Sequence, residues 1–226
     1  MDLRKTKTVL LDVDGTIMNF GMGQRCAFTE TCEKLGYPVT EESYLLFDGI
    51  NKGYWKLFEK GEVEKNELII RRFIDYFAKT GIDGDPYKTE EIYQELLGEQ
   101  VFYIDGALEG VKYLHSKYDV HVVTNGVERT QKNRARKSGL INYIDKLFIS
   151  EEVGYQKPQK EFFDYVFNHV SADRETTVII GDTQSSDILG GKNAGIGTIW
   201  FNRKHEVGEI VPDAEITAWE EIYRIL

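Results

Sequence analysis

Five short apolar runs, at residues 8–13, 120–124, 147–150, 178–181 and 198–201, recur along the chain with helical patterns between them. This alternation constrains the fold more than any other feature. One of the helical patterns spans 107–117, with Leu108, Val111 and Leu114 at helical spacing; another carries Phe162, Phe163, Val166 and Phe167. Strands that alternate with helices imply an α/β fold, a mostly parallel sheet flanked by helices on both faces. Right-handed crossovers then gather every strand-to-helix loop at one edge of the sheet, which is where open α/β sheets bind ligands.

The rhythm breaks once. Residues 18–103 hold no convincing strand and instead suggest helices at 24–35, 42–59, 65–80 and 89–98, with breaks at Gly36-Tyr37-Pro38, Gly61 and Gly81-Ile82-Asp83-Gly84-Asp85-Pro86. The expected organisation is a catalytic core formed by 1–17 and 104–226, with an inserted helical-bundle cap at 18–103. Because the insert starts just after the first strand, the cap is expected above the ligand edge, able to exclude water and contact substrate. Phe58, Phe73, Tyr76 and Phe77 read as the core of that bundle, and Trp55 reads either as core or as a substrate contact.

The length of 226 residues suits one large domain or a core with a smaller insertion. The net charge of -10 argues against a nucleic-acid polymer as partner, since phosphate backbones call for a basic stripe. It leaves room for a small phosphorylated ligand in a locally cationic pocket. Cys26 and Cys32 match no zinc spacing, and reduced thiols are expected. No long apolar run suggests a membrane span, and the charged start leads directly into a strand rather than a signal peptide, so a cytoplasmic protein is expected.

Four segments at expected strand ends carry the chemistry. In Asp12-Val13-Asp14-Gly15-Thr16 the strand period of two puts both carboxylates on one side. Two such charges repel unless a cation or a shared proton lies between them, and a hard divalent cation suits oxygen ligands. An ordinary turn is the competing reading. In Thr124-Asn125-Gly126 the hydroxyl and backbone N–H groups can hold a phosphate oxygen, or simply form a turn. Pro158 restrains the backbone around Lys157, whose ammonium can face the acids or solvent. In Gly181-Asp182 an acid again follows a strand directly. Asp187 reads equally as a helix cap. The four histidines, His115, His121, His169 and His205, fall in none of these segments.

Acid pair, Thr-Asn, Lys-Pro and Gly-Asp-x-x-x-x-Asp, in that order, resemble the four motifs of the haloacid dehalogenase (HAD) superfamily. The resemblance covers the whole core, which would then be Rossmann-like, and the helical insert resembles that superfamily's first type of cap. Within it, Asn51-Lys52, Trp55, Gly61 and Arg72-Phe73 are similar to the YjjG-type bacterial pyrimidine and non-canonical nucleotide 5′-nucleotidases. So are Ile149-Ser150-Glu151-Glu152-Val153-Gly154, Lys157-Pro158 and Ser186-Asp187-Ile188-Leu189-Gly190-Gly191. The resemblance implies a Mg²⁺-dependent phosphomonoesterase acting on nucleoside 5′-monophosphates, a monomer or weak homodimer. It implies Asp12 as nucleophile and Asp14 as general acid and base, with Mg²⁺ held by Asp12, the Asp14 carbonyl, Asp182 and Asp187, the last directly or through water. Thr124, Asn125 and Lys157 would bind phosphate oxygens, and Asn51 and Trp55 of the cap would contact substrate. A phosphatase for a sugar phosphate or phosphoglycolate, and a catalytically silent binding module on the same fold, are the alternatives.

Overall fold

The computed structural model describes residues 2–226. It divides into two compact units, a core made of the residues up to Phe20 together with Val101–Leu226, and a helical unit, Gly21–Gln100.

The core is built on six strands: β1 (Thr8–Leu11), β2 (Asp119–Thr124), β3 (Lys146–Ile149), β4 (Thr177–Gly181), β5 (Gly197–Phe201) and β6 (Ala214–Ile216). They form one sheet in the order β3-β2-β1-β4-β5-β6, with every pairing parallel. The apolar runs form strands because each must be buried on both sides. Val9, Leu11, Val120, Val122, Val178 and Ile180 pack on one face with Trp219 and with Val111 and Leu114 of helix Ala107–His115. Leu10, Val123 and Ile179 point the other way, against Phe162, Phe163 and Val166 of helix Lys160–His169. This is the two-residue alternation of a strand, read out as two separate cores. The expected sheet lacked β6, a three-residue strand at the edge.

The strand order positions the site. The chain moves outward from β1 through β2 to β3, then returns to lay β4 on the other flank of β1. The carboxyl ends of β1 and β4 therefore border the point where the winding reverses, the place where α/β sheets open a ligand crevice. Leu11 pairs with Ile180 in register, and the Asp12 amide donates to the Ile180 carbonyl at 3.0 Å. The segments on either side of the insertion stay together within the core: Asn19 N donates to Phe102 O at 2.7 Å, and Met18 bridges to Tyr103.

The helical unit comprises α1 (Phe20–Leu35, whose first residue belongs to the core), α2 (Glu41–Glu59), α3 (Lys65–Thr80) and α4 (Pro86–Glu99). Local signals set the boundaries. Thr40 and Ser43 form a reciprocal capping box at the start of α2. Asp85 caps α4, with Pro86 at its first position. Gly81 ends α3 in a left-handed conformation, φ 71°. The interior is aromatic: Phe28 stacks on Phe47 with centroids 4.7 Å apart, and Phe47 stacks on Phe73 at 5.0 Å.

A polar chain crosses this apolar interior. Asn51 donates to Gln24 Oε1 (2.6 Å) and accepts from Arg72 Nη1 (2.8 Å), Arg72 pairs with Glu90 (2.6 Å), and Glu90 accepts from Gln94 (2.7 Å). Every member is buried. Such a network is stable because its polar groups satisfy one another, and removing one member strands the others. Among the described residues, no helix is long and apolar enough to cross a membrane.

Candidate active site

Asp12 follows β1 directly and is 7% exposed. Lys157, 1% exposed, reaches it from the loop before helix Lys160–His169, with Nζ 2.7 Å from Asp12 Oδ1. The same ammonium lies 2.7 Å from Asp187 Oδ1 and donates to the Val123 carbonyl at 2.9 Å, so each of its three protons has an acceptor. Thr16 Oγ1 donates to the other Asp12 oxygen at 3.2 Å. Asp182 follows β4, and one carboxylate oxygen each from Asp12, Asp182 and Asp187 falls within 4.8 Å of the others.

Glycines make this crowding possible. A Cβ on Gly15, which has φ 93°, would sit 2.1 Å from Asp182 Oδ2. One on Gly181 would sit 2.2 Å from Asp187 Cγ. Three acids can approach one another only because the backbone beside them carries no side chain.

Asn125 grips the lysine loop by two reciprocal bonds: its Nδ2 donates to Lys157 O and its Oδ1 accepts from Lys157 N, both at 2.9 Å. Thr124 is buried at the end of β2, and its Oγ1 accepts from Gly126 N at 3.0 Å. Asp14 stands apart from the ammonium. Its Oδ1 pairs with Arg134 Nη1 at 2.5 Å and its Oδ2 accepts from Gln131 Nε2 at 2.6 Å, both donors coming from helix Glu128–Lys137. Asp187, which lies within the π-helical turn Gln184–Ile188, uses its second oxygen on the amide of Thr183, the residue before that turn, at 3.1 Å.

The charges do not balance within the protein. Burial pushes the Asp12 carboxyl up to about 7; the Lys157 ammonium opposes this, and the Asp187 and Asp14 charges add to it. Burial, then Asp12 and Asp187, hold Asp182 well above the usual carboxylate range. Burial alone would lower the Lys157 ammonium, yet Asp12 and Asp187 outweigh it and keep its pKa above the ordinary lysine value. Three carboxylates against one ammonium leave a formal surplus of two negative charges. Clustered carboxylate oxygens with that surplus fit a hard divalent cation. In such a set Asp182 is the freest donor: its Oδ1 accepts from Thr183 Oγ1 at 3.2 Å and its other oxygen is open, whereas both oxygens of Asp12 and both of Asp187 already accept bonds.

The structure thus gathers Asp12, Asp182 and Asp187 beyond the ends of β1 and β4, with Lys157 reaching in from its loop, Thr124 ending the neighbouring strand β2 and Asn125 just after it. Asn51 and Trp55 lie in the helical unit, Asn51 within its buried polar chain and Trp55 half-buried with its ring edge-to-face on Phe58 at 5.6 Å. Among the histidines, His169 stacks on Tyr165 and His121 is buried in β2, away from these segments. Arg134 and Gln131 were missed by sequence reasoning. The available signal was their i, i+3 spacing, which puts both on one face of a helix.

Residues 9–201 match the family model described as haloacid dehalogenase-like hydrolase. YfnB of Bacillus subtilis is 38% identical over 99% of this chain and 97% of its own. A crystal structure of YfnB bound to magnesium superposes with a TM-score of 0.92 over 97% of this chain and 98% of that one. The pyrimidine 5′-nucleotidase PynA of Streptococcus pneumoniae is 33% identical over 88% of this chain and 85% of its own. The pyrimidine 5′-nucleotidase YjjG of Escherichia coli is 30% identical over 96% of each.

Proposed function

The chain belongs to the haloacid dehalogenase-like hydrolase family, and from that premise we propose that it is a Mg²⁺-dependent phosphomonoesterase that hydrolyses nucleoside 5′-monophosphates. The observation that carries the reading is the cluster of Asp12, Asp182 and Asp187, two of whose carboxylates pair with the buried Lys157 ammonium. Similarity to two pyrimidine 5′-nucleotidases over most of the chain supports the nucleotide as substrate.

In this reading Asp12 is the nucleophile. The bonds from Lys157 and Thr16 fix the plane of its carboxylate, so one oxygen can approach phosphorus in line with the leaving group. The Asp12 oxygen–phosphorus bond forms as the phosphorus–ester oxygen bond breaks, and Asp14 gives its proton to the departing oxygen. Water then adds to phosphorus, its proton passes to Asp14, and the aspartyl–phosphate bond breaks, which restores both acids. Thr124, the Asn125 amide and Lys157 hold the non-bridging oxygens; positioning and charge stabilisation supply most of the rate in phosphoryl transfer. Mg²⁺ would be held by Asp12, Asp182 and the Asp14 carbonyl, with Asp187 directly or through water, and would supply Lewis-acid stabilisation of the charge on the phosphoryl oxygens.

Phosphate release from a panel of esters, ranked by kcat/KM with Mg²⁺ and again with excess chelator, tests the proposal. Pyrimidine nucleotides should rank above sugar phosphates and phosphoglycolate, and chelation should abolish turnover. Asp12→Asn should remain folded and inactive. Turnover undiminished by chelation or by Asp12→Asn would sink the mechanism, whereas a sugar phosphate at the head of the panel would sink only the substrate assignment.

A further inference from the structure

We infer that Arg134 and Gln131 are positioning residues that aim the carboxylate of Asp14 for its two proton transfers, an inference that rests on the phosphomonoesterase reading above. The two donors take one oxygen each, Arg134 Nη1 at 2.5 Å from Oδ1 and Gln131 Nε2 at 2.6 Å from Oδ2. A single donor would leave the carboxylate free to turn about its last bond. Two donors, three residues apart on one helix, fix its plane. A carboxylate offers about four lone-pair sites, so each oxygen keeps one for the reacting proton while the clamp holds.

The composition of helix Glu128–Lys137 gives the clamp its weight. Of the helix's cations, Arg129, Arg136 and Lys137 are exposed and Lys132 is half-buried between Glu128 and Glu152, but Arg134 is 1% exposed. Its partner Asp14 is 24% exposed, and burying a guanidinium for one such ion pair is a poor device for stability alone, because apolar residues of similar size serve as well or better. A guanidinium kept there is better explained by geometry, since its planar fork fixes a carboxylate in a way an apolar side chain cannot. Gly126 completes the arrangement. A Cβ at that position would lie 2.1 Å from Gln131 Nε2, in the space the amide occupies to reach Asp14.

The chemistry gives a readout that general damage to the fold would not move. Cleaving an alkyl ester, such as a nucleoside 5′-monophosphate, expels a poor leaving group that must take the proton of Asp14. Cleaving p-nitrophenyl phosphate expels a stable phenolate that needs none. Because kcat/KM reports the first transfer to Asp12, a mispositioned Asp14 lowers it selectively for the alkyl ester. Misplacing a general acid typically costs about a hundred-fold.

The experiment compares kcat/KM for the nucleotide and for p-nitrophenyl phosphate in the full-length protein with Mg²⁺. Arg134→Met should lose about 30- to 100-fold on the nucleotide and less than about three-fold on the aryl ester. Arg134→Lys, which keeps charge but not the fork, should fall between Arg134→Met and wild type. Gly126→Ala leaves Asp14 and Arg134 untouched and should shift the alkyl-to-aryl ratio in the same direction by a few-fold, so the inference is tested even if Arg134→Met does not fold. In an Asp14→Asn background, Arg134→Met should leave the ratio unchanged. Equal losses on both esters, or an effect of Arg134→Met that persists without Asp14, would overturn the inference. A wild-type protein that cleaves p-nitrophenyl phosphate and sugar phosphates but no nucleotide overturns the nucleotide assignment alone, and the alkyl arm is then run with the sugar phosphate.

Discussion

Lys157 ties two of the site's acids to the loop that carries it. Its ammonium lies between Asp12 and Asp187, and its backbone is gripped by Asn125. Lys157→Met should therefore lower folding stability by about 3–5 kcal/mol, because it leaves buried carboxylates without their counter-charge. Urea denaturation measures the loss, and Mg²⁺ should restore more of the midpoint in the variant than it adds to wild type. Gly15→Ala acts on geometry instead of charge. Its Cβ would meet Asp182 at 2.1 Å in a backbone conformation that disfavours any side chain. Activity should drop by about a hundred-fold or more, the scale of losing one group that stabilises transition-state charge, while urea denaturation shows a smaller change than for Lys157→Met. At this scale the sequence is legible where a polar residue interrupts an apolar strand: Asp12, Thr124 and Asp182 stand out because the residues before them must be buried. Arg134 is not legible in that way. It sits in Glu-Arg-Thr-Gln-Lys-Asn-Arg-Ala-Arg-Lys, which reads as a solvated helix, and only the packing of the helix distinguishes one cation from the others.

The elements follow a similar logic. Strands β1, β2, β4 and β5 are readable because both faces are covered, which demands continuous apolar runs. Strand β6 is not, because Ala214-Glu215-Ile216 is short and pairs only with β5. The four helices of the helical unit are readable from their breaks, since Gly and Pro interrupt the pattern wherever the chain turns. Its polar chain is not readable, because Gln24, Asn51, Arg72 and Glu90 come from four different helices and nothing local links them. Strand β2 carries its own consequence for pH. His121 is 5% exposed, its Nδ1 has no partner, and burial holds its pKa below the ordinary histidine value, with Asp145 and Asp119 opposing and Lys146 assisting. The unfolded chain then binds a proton that the folded chain resists, so stability rises with pH between the folded and unfolded values and falls as pH drops below about 6.5. His121→Leu removes this dependence. The stability of wild type relative to the variant should decline from roughly pH 7 to pH 5, measured by urea denaturation at each pH. A parallel course for the two proteins would show that His121 contributes no linkage.

Over the whole molecule, the helical unit is a single excursion of the chain. It leaves the core after Phe20 and returns at Val101, and the flanking segments are joined within the core by the Asn19–Phe102 hydrogen bond and the Met18–Tyr103 bridge. The sheet, both of its hydrophobic faces and the acidic cluster belong entirely to the core. A domain with its own buried faces can fold alone. Replacing Gly21–Gln100 by a flexible linker of about four residues should therefore give a core that unfolds cooperatively in urea. If the helical unit supplies the recognition of base and sugar, while Asp12, Asp14 and Lys157 supply the transfer, the shortened protein separates the two. It should still cleave p-nitrophenyl phosphate with Mg²⁺, since Asp12, Asp14, Lys157, Asp182 and Asp187 all belong to the core. Its kcat/KM for a pyrimidine nucleotide should fall toward its value for a simple alkyl phosphate. A folded core that keeps the full preference for nucleotides would place that recognition in the core loops instead, with the segment after β5, Arg203 to Val207, the first to be examined because the Lys204 charge already acts on Asp182.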